Sequence, residues 1–264
     1  MIGRILAVLV KELDDVRKSR LILTTLIVPI VLYFLVSVVA LASGTMPGIN
    51  NVSRAELEAL ERSLPRAGEL SPTEAFQALM VDQILVLYML APLFIPLTIA
   101  SYSIIGEKQL RTLEPVLATP IRTWELLAAK SLAALIPGVL VSWISYALFL
   151  MVAGLWASGT VVRLAVGSVW LISFGLVAPL FALLAVGMAV IASSRTNDPR
   201  AAQQVGAIVI LPISALLSAQ VFGFVRLDTS HALLLAAAAG LADIALLYAA
   251  VRLFNRETIL TRWR

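Results

Sequence analysis

Residues 106–130 read GEKQLRTLEPVLATPIRTWELLAAK. This charged stretch lies between two apolar runs, residues 83–105 and 131–154. A helix of about 20 apolar residues crosses the hydrocarbon layer of a bilayer, so each run is long enough to span a membrane. The whole chain is 60% hydrophobic and only 14% charged, whereas soluble domains are about 25% charged. Lipid must therefore solvate most of its surface, and we expect an all-α integral membrane protein.

Outward from this stretch, six apolar runs qualify as spans. They are residues 21–43, 83–105, 131–154, 165–192, 205–225 and 232–252. Most of the 20 Lys and Arg residues lie in the N-terminal 20 residues, in the two connections after the second and fourth runs, and in the C-terminal tail. All four segments fall on one side of this topology. The positive-inside rule then predicts a multi-pass protein of the cell membrane (inner or plasma) with both termini in the cytoplasm.

The N-terminal segment, residues 1–20, has the pattern of an amphipathic helix. Its apolar positions recur at helical spacing: Ile2, Ile5, Leu6, Leu9, Leu13 and Val16. We expect this helix to lie in the membrane interface, because it carries too many charges for bilayer depth. The alternative is that it forms the first turns of a long first span. The run that follows ends in Ala40-Leu41-Ala42, which resembles a cleavage site, but it is longer than a signal-peptide core and acidic residues precede it.

Residues 44–82 are predicted to form the longest external loop, with two helices. Ser53 and Glu56 have the spacing of a capping box, as do Ser71 and Glu74. The first pair predicts a short helix near residues 54–63. The second predicts a helix that leads into the second span.

Within the quoted stretch, Leu110, Leu113 and Leu117 share one face of a short amphipathic helix, and Pro120 cannot continue it. A simple connection between spans needs only a few residues. A charged element of this size therefore indicates a surface that docks another molecule in the cytoplasm. The competing interpretation is a helix that anchors in lipid headgroups without a protein partner.

Few residues offer chemistry inside the predicted spans. Asp243 lies near the middle of the last span and either lines a pathway or makes a polar contact between helices. Gln220, Ser142 and Ser145 are weaker candidates for the same roles. The chain has no cysteine and one histidine, His231, so we expect no metal site and no catalytic relay built on these residue types.

Two groups of motifs resemble the ABC-2 family of ABC transporter permeases. The first comprises Glu107, Lys108, Thr112-Leu113-Glu114, Leu117-Ala118-Thr119-Pro120-Ile121, Glu125-Leu126-Leu127 and Lys130. It departs from the family pattern at Arg111, where glycine is usual, and at Ala129. The second comprises Ser194-Arg195, Pro199, Ala202-Gln203-Gln204 and Pro212. The amphipathic start, the large first external loop and the six spans also fit, so the resemblance covers most of the chain.

The resemblance implies a permease subunit of an ABC exporter that works as a dimer, with a second copy or a paralogue. In such permeases the helix between the second and third spans is a coupling helix that sits in a groove of a separate ATPase subunit. The coupling candidates carried over are Glu107, Lys108, Arg111, Glu114 and Glu125. The chain has no Gly-x-x-x-x-Gly-Lys-Ser/Thr loop. We therefore expect no cofactor in this chain, with ATP and Mg²⁺ held by the partner, and no nucleic-acid partner.

Two other function classes remain open at this stage. A membrane-embedded enzyme needs a buried Ser/His pair, an Asp pair or a Glu/His metal cluster, and one His with one mid-span Asp cannot build these. A secondary transporter normally has clusters of ionisable residues in its spans and internal repeats. The sequence has one such residue, Asp243, and no convincing repeat.

Overall fold

The computed structural model describes residues 2–43, 70–110, 122–221, 224–225 and 227–253. These residues form helices connected by turns. We label the helices α1 (Ile2–Lys18), α2 (Arg20–Ser43), α3 (Pro72–Tyr88), α4 (Ala91–Gln109), α5 (Thr123–Trp156), α6 (Gly159–Ala165), α7 (Ser168–Ile172), α8 (Ala178–Arg195), α9 (Pro199–Val221) and α10 (Thr229–Leu253). A π-helical turn, Ser173–Val177, joins α7 to α8.

Five stretches of the described residues are long and apolar enough to cross a membrane: Arg20–Ser43, Thr73–Gln109, Trp124–Trp156, Gly159–Arg195 and Thr229–Ala250. Helix α9 is bent by 53° between Pro199–Ile208 and Ile210–Gln220, and it makes a sixth span if its halves count as one. Pro212 lies just after the bend and lacks the N–H that a helix interior needs. The all-α membrane fold is confirmed, and the sixth span stays a prediction.

Helices α4 and α8 form the centre of the bundle. They pack on each other, α5 covers both, α9 packs on α4, and α10 packs on α8. In the most apolar part of Thr73–Gln109, 78% of the residues are buried in the bundle. In the most apolar part of Arg20–Ser43, 17% are buried. The face of α2 that is exposed in this chain is apolar, as in Ile27, Leu32 and Val39, which suits a helix at the lipid boundary.

Close backbone approach explains the tight packing around α4. A Cβ atom on Gly138 of α5 would lie 2.3 Å from Cγ of Pro96, and one on Gly206 of α9 would lie 2.3 Å from Cδ1 of Leu97. Glycine at these two positions therefore lets α5 and α9 each pack closely against α4. Small residues at helix contacts serve this purpose in membrane bundles.

One end of the bundle, which we call the α1 end, carries α1, the end of α4, the start of α5 and the turn between α8 and α9. At the opposite end, Gln77 of α3 is buried and its Nε2 donates to the carbonyls of Leu41 (3.1 Å) and Trp156 (2.9 Å). One amide side chain thus satisfies carbonyls near the ends of α2 and α5.

Two helices were predicted from capping boxes in residues 44–82, and the structure describes the second of them. Ser71 accepts a hydrogen bond from the Glu74 N–H (3.3 Å), and the Glu74 carboxylate accepts one from the Ser71 N–H (2.9 Å). This capping box starts α3, as predicted. The helix expected near residues 54–63 lies outside the described residues.

Candidate functional site at the α1 end

A buried group of charges, which we call the Lys130 cluster, joins three helices at the α1 end. Its members are Lys11 and Glu12 of α1, Ser103 and Glu107 of α4, and Lys130 of α5. Lys130 Nζ lies 2.9 Å from Glu12 Oε1 and 2.8 Å from Glu107 Oε2, and it donates to Ser103 Oγ at 3.0 Å. Lys130 therefore hydrogen-bonds to Glu12 and Ser103 and forms an ion pair with Glu107.

Each carboxylate of the cluster has partners on both of the other helices. Ser103 Oγ donates to Glu12 Oε2 at 2.6 Å. Glu107 uses one oxygen for Lys130 and the other for Lys11, whose Nζ lies 2.5 Å from Glu107 Oε1. The side chains of Lys130, Glu12 and Glu107 are 4%, 6% and 12% exposed. At this burial, pairing and hydrogen bonding are what allow the groups to stay charged.

Helical spacing on α1 accounts for the position of Glu12. Val16, one turn after Glu12, is buried, and Val8, one turn before it, packs against the same core. Glu12 therefore lies on the face of α1 that contacts α5, between two valines. Leu6 and Val10 lie on another, exposed face, which suits contact with lipid at the membrane interface.

Lys11 marks the edge of the cluster that faces solvent. Its side chain is 51% exposed, and it also lies 3.3 Å from Glu12 and 3.6 Å from Asp15. Burial alone would lower the Lys11 pKa, but the hydrogen bond to Glu107 and the charges of Glu12 and Glu107 raise it above its usual range. Burial alone would raise the Glu12 pKa, but the Lys130 charge, hydrogen bonds from Ser103 and Lys130, and the Lys11 charge lower it. Both shifts favour the charged forms.

The last residues of α4 reach a second neighbour at the α1 end. Lys108 Nζ donates to the Thr196 carbonyl at 3.3 Å, and Gln109 Nε2 donates to the Asn197 carbonyl at 2.8 Å. Thr196 and Asn197 belong to the turn that leads into α9. In this turn the Asp198 carboxylate accepts from the N–H of Arg200 at 3.1 Å. The end of α4 is therefore attached to α1, to α5 and to the turn between α8 and α9.

The structure extends the helices further into the quoted stretch than the sequence indicated. Residues 106–109 belong to α4, and residues 123–130 belong to α5, so the connection is shorter than 106–130. Glu125 is buried and its Oε2 accepts from the Arg122 N–H at 2.8 Å, which starts α5. Arg111, Glu114 and most of the predicted coupling helix fall in residues 111–121, outside the described residues.

The polar candidates inside the spans form no hydrogen bonds with one another. Asp243 is 3% exposed, and neither of its carboxylate oxygens has a hydrogen-bond partner among the described residues. It continues a buried stripe of α10 that includes Ala236 and Ala239, and α10 packs chiefly on α8 and residues 168–177. The hydroxyl of Ser145 and the amide oxygen of Gln220 are also without a described partner, whereas Ser142 Oγ donates to the Gly138 carbonyl at 3.3 Å.

Sequence reasoning missed most of the Lys130 cluster. Glu107 and Lys130 belonged to the motif, but Lys11, Glu12 and Ser103 were not candidates. The available signal was Glu12 itself, since it lies one turn from Val8 and one turn from Val16 on a face that otherwise repeats apolar residues. A charge on such a face needs an opposite charge, but the sequence does not say which one.

Comparison with known proteins supplies the family. The model of a family described as ABC-2 family transporter protein matches residues 41–237, well over half of the chain. The match covers α3 to α9 and the whole connection between α4 and α5. A search of curated proteins found no match.

Proposed function

Because the chain belongs to the ABC-2 transporter family, and so is a membrane permease subunit of an ABC transporter, we propose that it forms the translocation path of an exporter as a dimer. ATP hydrolysis on a separate ATPase subunit drives it. The partner docks on residues 111–121, on the cytoplasmic side of the cell membrane. The second subunit is another copy of this chain or a paralogue.

One observation supports docking at this segment more than any other: both of its flanks are attached to the bundle. On one side, the end of α4 is attached to α1, to α5 and to the turn before α9 by contacts of Glu107, Lys108 and Gln109. On the other side Lys130 holds the start of α5 to α1 and α4. A partner that displaces a segment with such flanks must also displace the helices. A headgroup anchor needs no such attachment.

The contacts divide the coupling candidates into two roles. Arg111 and Glu114 are proposed to contact the ATPase directly. Glu107 and Lys108 are proposed to hold the flank, since their charged groups already bind elements of the same chain. Glu125 is proposed to set where α5 begins, through its bond to Arg122.

The test is co-purification from detergent with a candidate ATPase subunit encoded by a neighbouring reading frame. Wild type is compared with the double variant Arg111→Glu plus Glu114→Arg, which keeps the net charge. Arg163→Glu is the matched control, since Arg163 is exposed at the opposite end of the bundle. We expect a stable complex with ATPase activity that the double variant weakens at least tenfold and the control leaves intact.

Two results would contradict the proposal. If wild type binds no ATPase, a separate ATPase subunit of this kind does not drive the chain. If the double variant and Arg163→Glu bind equally well, the partner docks elsewhere on the chain.

A further inference from the structure

We infer that Lys130 is a positioning residue that makes α1 move together with the two helix ends that flank residues 111–121. The inference rests on the proposed function, because it names how a movement of that segment reaches the rest of the permease. Lys11 and Glu12 precede residues 41–237, which the family model matches.

The geometry gives one ammonium group control over three elements. Lys130 on α5 binds Glu12 of α1 and both Ser103 and Glu107 of α4, at 2.8–3.0 Å. The contacts with Glu12 and Ser103 are hydrogen bonds, and the contact with Glu107 is an ion pair. A displacement of α4 or α5 that left α1 behind would break at least one of these bonds in a buried place, where an unpaired charge is costly.

Stability alone does not account for such a cluster. Replacing a buried ion pair with well-packed apolar residues is often neutral or stabilising. A buried network of hydrogen bonds and ion pairs instead favours one arrangement of its members. The surrounding contacts of α1 are aliphatic, as at Val8 and Val16, and such contacts are not directional. The ionic contacts are therefore what fix α1 against α4 and α5.

A route leads from α1 into the membrane. Ser19 is the one residue between α1 and α2, and backbone hydrogen bonds continue across it, from the Ser19 N–H to the Asp15 carbonyl (3.1 Å) and from the Leu23 N–H to the Ser19 carbonyl (2.9 Å). Helix α1 is thus joined to α2 without a flexible linker. A shift of the α4 and α5 ends then reaches the peripheral α2 through α1.

The test measures the position of α1 in the complex of the full chain with its ATPase. The chain has no cysteine, so spin labels can be placed at Arg17→Cys of α1 and Leu247→Cys of α10, two exposed positions outside the cluster. The labelled chain is diluted with unlabelled wild type, which confines the measured distances to one copy. Double electron–electron resonance then gives the distance before and after the ATPase is trapped with ATP, Mg²⁺ and vanadate. We expect trapping to shift it.

The decisive variant combines Glu12→Gln, Glu107→Gln and Lys130→Met, which keeps shape and leaves no unpaired charge. We expect it to fold, to bind and trap the ATPase, and to lose the distance shift. Lys130→Arg alone, with Glu12 and Glu107 intact, keeps the positive charge. It should therefore retain the distance shift at least in part. Asp14→Asn plus Lys18→Met is the matched control, because this ion pair on the same helix is exposed, and it should leave the shift unchanged.

Each remaining outcome overturns the inference in a recognisable way. If the triple variant keeps the shift, or if the labelled parent shows none while its ATPase is trapped, α1 does not move through Lys130 and the proposed function still stands. If the parent binds no ATPase, both fall together. If the triple variant does not fold, Glu12→Gln alone decides, since it removes one charge from the cluster; an unchanged shift in that variant overturns the inference.

Discussion

Glu107 and Lys130 lie on either side of the segment 111–121, one at the end of α4 and one at the start of α5, and they are joined by an ion pair of 2.8 Å. The same lysine reaches Glu12 of α1 at 2.9 Å. The two helices that enter and leave the proposed docking segment therefore share one buried charge with the N-terminal helix. Four measurements follow from this relationship and from the packing around it.

Lys130→Met should destabilise the chain by about 3–5 kcal/mol, because it leaves Glu12 and Glu107 buried beside a missing partner. Reversible unfolding in mixed detergent measures the loss. Lys18→Met is the control, since Lys18 and Asp14 form an exposed pair on α1, and its stability should match wild type. Equal effects of the two substitutions would contradict the buried role of Lys130.

The pKa shifts in the cluster predict a pH window for the docking of α1. Glu12 has a lowered pKa, so its contribution is full above its usual value of 4.5 and is lost as the pH falls. Lys11 has a raised pKa, so its contribution is full below its usual value of 10.5 and is lost as the pH rises. We expect α1 to be held tightly between these limits and to loosen in acid and in strong base.

Spin-label mobility at Arg17→Cys, followed from pH 3 to pH 11, measures this window. In Glu12→Gln the acid transition should become smaller, because the Glu12 carboxylate, whose pKa is lowered in the folded chain, is no longer present. An identical pH profile in both proteins would show that Glu12 does not hold α1.

Gly138→Ala should destabilise the contact between α4 and α5 by about 1–3 kcal/mol, since its Cβ would meet the rigid ring of Pro96 at 2.3 Å. Gly154→Ala lies in the same helix, and no other element of the described part of the chain comes within 4 Å of the new Cβ. It should be neutral or stabilising by up to about 1 kcal/mol, through helix propensity alone. Thermal unfolding of the purified variants compares them, and a loss at Gly154 as large as that at Gly138 would rule out this packing account.

Asp243→Leu should raise thermal stability, because the native carboxylate is buried without a described hydrogen-bond partner. Ala245→Leu places the same side chain on the exposed face of α10 and should change little. A lower melting temperature for Asp243→Leu would mean that α10 needs the carboxylate for packing. A more stable variant that no longer shows the vanadate-dependent distance shift would favour the pathway role over the interhelix contact.

Local signals predicted much of the fold. Apolar runs of span length gave five of the six expected spans directly, because in lipid a helix must satisfy its own backbone groups. The capping box of Ser71 and Glu74 located the start of α3, because both of its hydrogen bonds are local. Residues 106–109 and 123–130 of the charged stretch continue the flanking helices, and the coupling helix expected within the stretch stays a prediction.

The candidate site was less accessible to sequence reasoning. The family motif contains Glu107, Lys108, Glu125 and Lys130, but a motif does not say whether a charge faces a partner or its own chain. Glu125 shows the difficulty: the resemblance made it a coupling candidate, and in the structure it is a buried residue that accepts a hydrogen bond from the Arg122 N–H. Arg111 and Glu114 remain proposals for direct contact with the ATPase.

The amino-acid sequence by itself determined that this chain is a helical membrane permease of the ABC-2 family, because hydropathy and the order of motifs are properties of the linear sequence. Only the tertiary structure decided that Glu12 and Lys130, 118 positions apart, share a hydrogen bond. Such pairing depends on how α1 packs against α5. The sequence supplies both charges, and the packing of the helices determines which charges pair. Pairing is required because burying an unpaired charge is too costly.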